Sequence, residues 1–352
     1  MRKTPFYVSV LLALTGLMMS GCANMPKSYA DKEPLPFSAY PYLGPGGEEW
    51  PHDYLLIPEL NEGFGLPVNT TISYVELNPK GAETIVFVHG LGSYLKFWRY
   101  QLNHFANMGY RVIAIDMLGY GKSSKPAQFP YTMEAMAQVV RAVVQAKGVE
   151  KPILVGHSMG GQTSLSYAIQ FPDELRALVL TAPAGFEKFS RREKAWFRSV
   201  LSVAFIKSQG EYNIWGSIAR NNFYNWKSEY NWLIEERVRV VKTDDFNSYA
   251  YANVKSIHGL ADNDFVRGSL DQVKVPTLII HGDMDRLIPN PFMHGAPTRE
   301  IMEYGHQGIK GSKLVTLEDC GHTLQMDCSA RYNKEVRAFV KGLPAVQAAS
   351  KQ

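Results

Sequence analysis

Five stretches of this chain, "TIVFVHG", "YRVIAID", "KPILVGHS", "LRALVLTAP" and "PTLIIHG", carry nearly unbroken runs of Val, Ile and Leu. A strand with one face in water alternates apolar and polar residues; a continuous run means burial on both faces, as in a parallel sheet covered by helices. The segments between them supply those helices: "YLKFWRYQLNHFANMG", "TMEAMAQVVRAVVQAKG" and "GQTSLSYAIQF" show helical periodicity. "TISYVEL" and "SKLVTLEDC" add strands at either end of the series. The expected class is therefore α/β. At 352 residues, 45% hydrophobic and 20% charged, the chain can bury a large core.

The alternation lapses between about 186 and 262, which holds four of the six tryptophans, Trp196, Trp215, Trp226 and Trp232. An insertion over the C-terminal edge of the sheet, where open α/β sheets bind ligands, fits this interval. Most of its aromatics are expected to pack; Trp196, Trp215 and Trp226 are the candidates for touching substrate. The expected division is a core at 49–185 and 263–345, a helical cap at 186–262, and a tail at 346–352. Before the core, residues 23–48 hold five prolines and three glycines, which reads as an extended, poorly ordered tether.

Residues 1–22 read as a signal peptide: Arg2 and Lys3, an apolar run from Phe6 to Met19, then Ser20-Gly21-Cys22. The run is short of the roughly 20 residues that span a bilayer. Small residues before a cysteine resemble a bacterial lipobox, which implies Cys22 as the lipid-bearing first residue of the mature protein and Ala23 as favouring the outer membrane. A plain signal-peptidase site is the alternative. Export would permit Cys320 and Cys328 to pair around His322; two reduced thiols are the competing reading.

"LVGHSMGGQ" surrounds one serine with glycines, at the junction of an expected strand and an expected helix. In that context Gly156-His157-Ser158-Met159-Gly160 is a sharp turn that holds Ser158 at the top of the sheet. A serine hydroxyl is a weak nucleophile at neutral pH and needs a base, and the base needs an orienting group. His322, in "LEDCGHTLQMD" past the last expected strand, is the candidate base; His89 and His281 end strands and read as structural hydrogen-bonders. The candidate acid follows "PTLIIHG", with Asp285 preferred over Asp283 and Asp319 third. The amides of Leu91, in "HGLGS", and Met159 are candidates for an oxyanion hole. "DMLGYGKS" lacks phosphate-loop spacing and reads as a structural turn. No CxxC set, HExxH or clustered ligand spacing occurs, so neither metal nor cofactor is implied. A net charge of +4 without basic runs interleaved with aromatics argues against nucleic acid.

Taken in order, "HGLGS", "DMLGYGKS", "GHSMGG", "GDMDRLIP" and "CGH" resemble the α/β-hydrolase superfamily, in its cap-bearing esterase, lipase and C–C hydrolase branch, over about residues 65–342. The resemblance implies an eight-stranded, mostly parallel sheet with a helical lid, and Ser158, Asp285 and His322 as nucleophile, acid and base. A serine at 158 sets the chain apart from relatives of this fold that use aspartate there. The stretch 290–310 is richer in Gly and Pro than the family's usual helix. The expected protein is an exported, lipid-anchored serine hydrolase of small-molecule or lipid esters, membrane-bound through its N-terminus. A C–C hydrolase or cofactor-free peroxidase is the rival within enzymes; a non-catalytic surface binding protein is the rival outside them.

Overall fold

The computed structural model describes residues 28–344. Cys22 and the leader reading lie outside these residues, as does the 346–352 tail. Eight strands form one sheet in the order β1-β2-β4-β3-β5-β6-β7-β8: β1 His52–Leu56, β2 Thr71–Leu77, β3 Thr84–Val88, β4 Arg111–Ile115, β5 Ile153–His157, β6 Ala177–Thr181, β7 Thr277–Gly282 and β8 Lys313–Leu317. β1 and β2 run antiparallel to their neighbours, and all other pairings are parallel. In β5, β6 and β7 every residue is buried. Each such Val, Leu or Ile contributes roughly 1.5–3 kcal/mol by leaving water, which is why the continuous apolar runs settle at the centre of the sheet.

Helices α1 (Met133–Ala146) and α2 (Met159–Gln170) pack beside one another, and α2 also packs on β5. Thr132 caps α1 by accepting from the Ala135 amide. The expected helix over 94–109 is broken: a 3₁₀ turn at Leu95–Trp98 precedes a short helix at Leu102–Asn107. The buried Asp116 carboxylate takes the Leu95 amide at 2.9 Å, pinning the first turn to the end of β4.

Between β6 and β7 lies the cap: α3 (Arg191–Val200), α4 (Val203–Lys207), α5 (Glu211–Trp215), α6 (Trp232–Val240) and α7 (Phe246–Ala261). The Gly/Pro-rich stretch after β7 turns at 291–293 and then forms α8 (Thr298–Gly308). Helix α9 (Ser329–Lys341) closes the chain's described part. Among the described residues no helix is long and apolar enough to cross a membrane.

The tether expected at 23–48 needs correction over its described portion. Residues 28–48 form a strap across the seam of cap and core. Tyr29, Phe37, Tyr40 and Tyr42 are buried. Ser28 and Tyr29 bond the Glu211 carboxylate, the Phe37 amide bonds Asp245, and the Tyr42 hydroxyl bonds Asp116. Pro and Gly set the extended backbone, but the interleaved aromatics decide where it lies.

Candidate active site

Ser158 sits at the end of β5 with φ 52° and ψ −114°. That is a region costing a non-glycine residue about 1–3 kcal/mol, and surrounding bonds hold it. Its amide donates to Thr181 O at 2.9 Å, and its carbonyl accepts from Gly161, Gln162 and Ala184. The flanking glycines have a steric reason. A Cβ on Gly156 would lie 2.3 Å from Gly160 O, and one on Gly160 would lie 2.2 Å from Val88 O. Helix α2 can therefore start directly against β3 and β5 only if both positions lack side chains.

His322 stands in the loop after β8. Its Nδ1 is 2.8 Å from Asp285 Oδ2, and both side chains are almost wholly buried. A carboxylate only accepts, so Nδ1 carries the proton and Nε2 is left as the basic nitrogen. Asp285 is oriented in turn by the Leu287 and Ile288 amides, both donating to Oδ1. The two other carboxylates considered are placed elsewhere: Asp283 is exposed, and Asp319 offers its backbone carbonyl to Asn225. The His322 loop is closed by a disulfide between Cys320 and Cys328. Asp327, which the sequence did not single out, ties it further by accepting from the Gly321 amide and from Tyr224 and Asn225 of the cap.

His157 braces the backbone of His322. Burial first, then the adjacent His322, hold its pKa well below the usual value, so it is neutral. Its Nε2 donates to His322 O at 3.1 Å. His89 and His281 bond backbone and side-chain groups at their strand ends.

Ser158, His322 and Leu91 face one cavity of about 480 Å³ between sheet and cap. Gly90 passes beside the serine so closely that a Cβ there would be 3.1 Å from Ser158 Cβ. Among the described residues no intramolecular acceptor takes the Leu91 or Met159 amide. The walls are mostly apolar and aromatic, with Phe97, Phe197, Phe205 and Phe246 prominent and Tyr40 arriving from the strap.

The three tryptophans proposed for this pocket require correction, since none lines it. Trp196 is 40% exposed on α3. Trp215 packs in a small cluster with Tyr29 and Ile214, and Trp226 against Phe223 and Tyr230. Indole-rich sequence signals apolar packing, but not which face it serves.

Two charged features of the cavity had no sequence signal. Glu236 and Lys96 form a buried pair at 2.7 Å, with Tyr94 also on the carboxylate; burial pushes the Glu236 pKa up and the Lys96 pKa down. Arg237 bonds Gly92 O and the Tyr249 hydroxyl, and among the described residues no acid lies within ion-pair distance.

This chain belongs to the α/β-hydrolase fold family, which it matches over residues 83–328. Its relatives include Lipase 1 of Psychrobacter immobilis, 27% identical over 93% of this chain and 95% of that protein. A second relative, the 2-hydroxy-6-oxononadienedioate/2-hydroxy-6-oxononatrienedioate hydrolase of Paraburkholderia phymatum, is 25% identical over 74% of this chain and 88% of its own length. The solved structure of a probable hydrolytic enzyme from Pseudomonas aeruginosa superposes with a TM-score of 0.74, at 22% identity, over 90% of this chain and all of that one.

Proposed function

We propose that the protein is a serine hydrolase of carboxylic esters that works through an acyl-enzyme. The observation that carries this reading is the chain of bonds behind His322: Asp285 is fixed by two amides and takes Nδ1–H, leaving Nε2 free to accept the Ser158 proton. Ser158 attacks the ester carbonyl, and the oxyanion forms beside the Leu91 and Met159 amides, each such donor worth roughly 3 kcal/mol in the transition state. Imidazolium then protonates the leaving alcohol, and neutral His322 activates water for deacylation. The apolar cavity suits an acyl chain, and lipase relatives agree with it. Export with lipid attachment at Cys22 to the outer membrane belongs to the same proposal. It is supported by the leader pattern and by a disulfide, which persists in oxidising compartments.

The test is turnover of p-nitrophenyl esters from acetate to palmitate, with Ser158→Ala alongside and fluorophosphonate labelling of both. Wild-type turnover with a loss of about 10⁴-fold or more in the variant is expected. Labelling that persists in Ser158→Ala would remove the nucleophile assignment.

Arg237 favours a second reading. A guanidinium facing the cavity without a carboxylate partner can bind an acidic substrate, and the Paraburkholderia relative is named for dienedioates. Turnover of a 2-hydroxy-6-oxo-dienedioate with no ester turnover would shift the assignment to C–C bond hydrolysis.

A further inference from the structure

The outer face of the cap presents an unusual combination. On α3, Arg192, Trp196 and Val200 recur at four-residue spacing and are all exposed, so they form one stripe. The indole is 40% exposed, Val200 39%, and Phe205 on α4 48%. Phe205 also lines the cavity, so the cavity's mouth opens at this face.

Several cations around the stripe stand outside the ion pairs among the described residues. Asp262 and Asp264 are paired with Arg198 and Lys194, Glu187 bonds His294, and Glu193 and Glu211 are held by the uncharged donors of Ser190, Ser28 and Tyr29. Exposed Lys188, Arg191, Arg192 and Lys207 have no acid within ion-pair distance among the described residues. Interleaved cations and half-exposed aromatic side chains match the two layers of an anionic bilayer surface, with phosphate outside and acyl chains beneath.

We infer that the α3–α4 face docks on an anionic lipid surface and turns the cavity mouth toward it. Trp196 enters the headgroup boundary, Arg191 and Arg192 meet lipid phosphates, and an acyl ester passes along Phe205 toward Ser158. Its delivery of a lipid ester rests on the hydrolase reading above; docking does not.

Full-length protein is titrated with phosphatidylcholine vesicles, with and without phosphatidylglycerol, and tryptophan quenching by brominated phosphatidylglycerol is followed in wild type and Trp196→Phe. The N-terminal segment is common to all variants, so differences report on the cap. Arg191→Glu combined with Arg192→Glu is expected to weaken binding to anionic vesicles at least about tenfold, and Trp196→Phe is expected to lose a distinct fraction of the quenching. Unchanged affinity in the charge-reversed protein, or identical quenching in Trp196→Phe, overturns the proposal. So does a dimer that Trp196→Ser dissociates without changing vesicle binding, because the face then serves a second copy. Trp196→Phe keeps an aromatic ring at a position that is 40% exposed, which keeps the test decisive should the double reversal not fold. Absent ester turnover alongside lipid docking would remove the ester-hydrolase reading and leave the docking face standing.

Discussion

Sheet and cap meet at the same cavity but are held by different forces. The sheet's interior belongs to one continuous apolar cluster that runs from Ile72 in β2 to Leu317 in β8. Helix α7 joins this cluster through Phe246, Tyr249 and Ala250, whereas α5 and much of α6 rest on two small satellites, one around Tyr29, Ile214, Ile234 and Val238, the other around Phe223, Tyr230, Leu233 and Met326. What those satellites lack in apolar area is made up by polar clamps: Lys96 to Glu236, Arg237 to Gly92, and the 28–48 strap. The nucleophile proposed at Ser158 sits in a strained turn and needs a stiff support beneath it, whereas a cap wall proposed to admit substrate is better fastened at a few points.

Gly160→Ala would test the stiff half most severely. The added methyl meets the Val88 and His89 carbonyls, which are backbone and cannot move aside. We expect a loss of about 4 kcal/mol or more, read as failure to recover folded protein or a collapsed thermal midpoint; a near-normal midpoint would show that α2 can slide from β3.

Lys96→Met tests the clamped half. It leaves the Glu236 carboxylate buried without its cation, a change that costs about 3 kcal/mol. Because the clamp joins α6 to the turn after β3, we expect faster proteolysis within 203–245 and a raised KM before the main thermal transition moves. A uniform drop of the whole melt would mean that cap and sheet unfold as one unit.

Acid should reach the sheet through its histidines. Burial holds the pKa values of His89 and His157 below the ordinary imidazole value of about 6.5. Both resist protonation in the fold, so below about pH 6.5 the unfolded chain binds more protons than the folded one. Stability is thus retained above that pH and lost below it, by up to about 1.4 kcal/mol per unit for each group. Denaturant titrations at falling pH measure the slope, and His157→Gln should reduce it.

The smallest effect is expected at the strap. Tyr40→Phe removes one bond to Glu236 O, at 3.2 Å, and should cost about 1 kcal/mol. Hydrogen exchange in α6 would register it, and a change confined to the strap would show that Tyr40 packs there without bracing the cap.

The sheet was legible because burial on both faces forces continuous apolar strands, and the turn at Ser158 because two backbones cannot pass that closely around a Cβ. Asp285 and His322 were legible as residues following strand ends, which fixes where a side chain emerges. The strap was misread because Pro and Gly report backbone preference, while the burial of Phe37, Tyr40 and Tyr42 depends on surfaces far away in sequence. The tryptophans failed for a related reason, as an indole gains the same burial against any apolar neighbour.

Local rules of period, turn and steric exclusion thus determined from sequence alone the α/β order, the place of the cap and the strand ends from which Ser158, Asp285 and His322 project. Only the tertiary structure decided that Asp285 rather than Asp283 meets His322, that Asp327 and a disulfide hold the His322 loop, and that Arg237 faces the cavity bonded to Gly92 O and Tyr249. Asp285 and Arg237 meet partners 37 and 145 residues away, and even inside the short His322 loop the contacts depend on distances that no local pattern encodes.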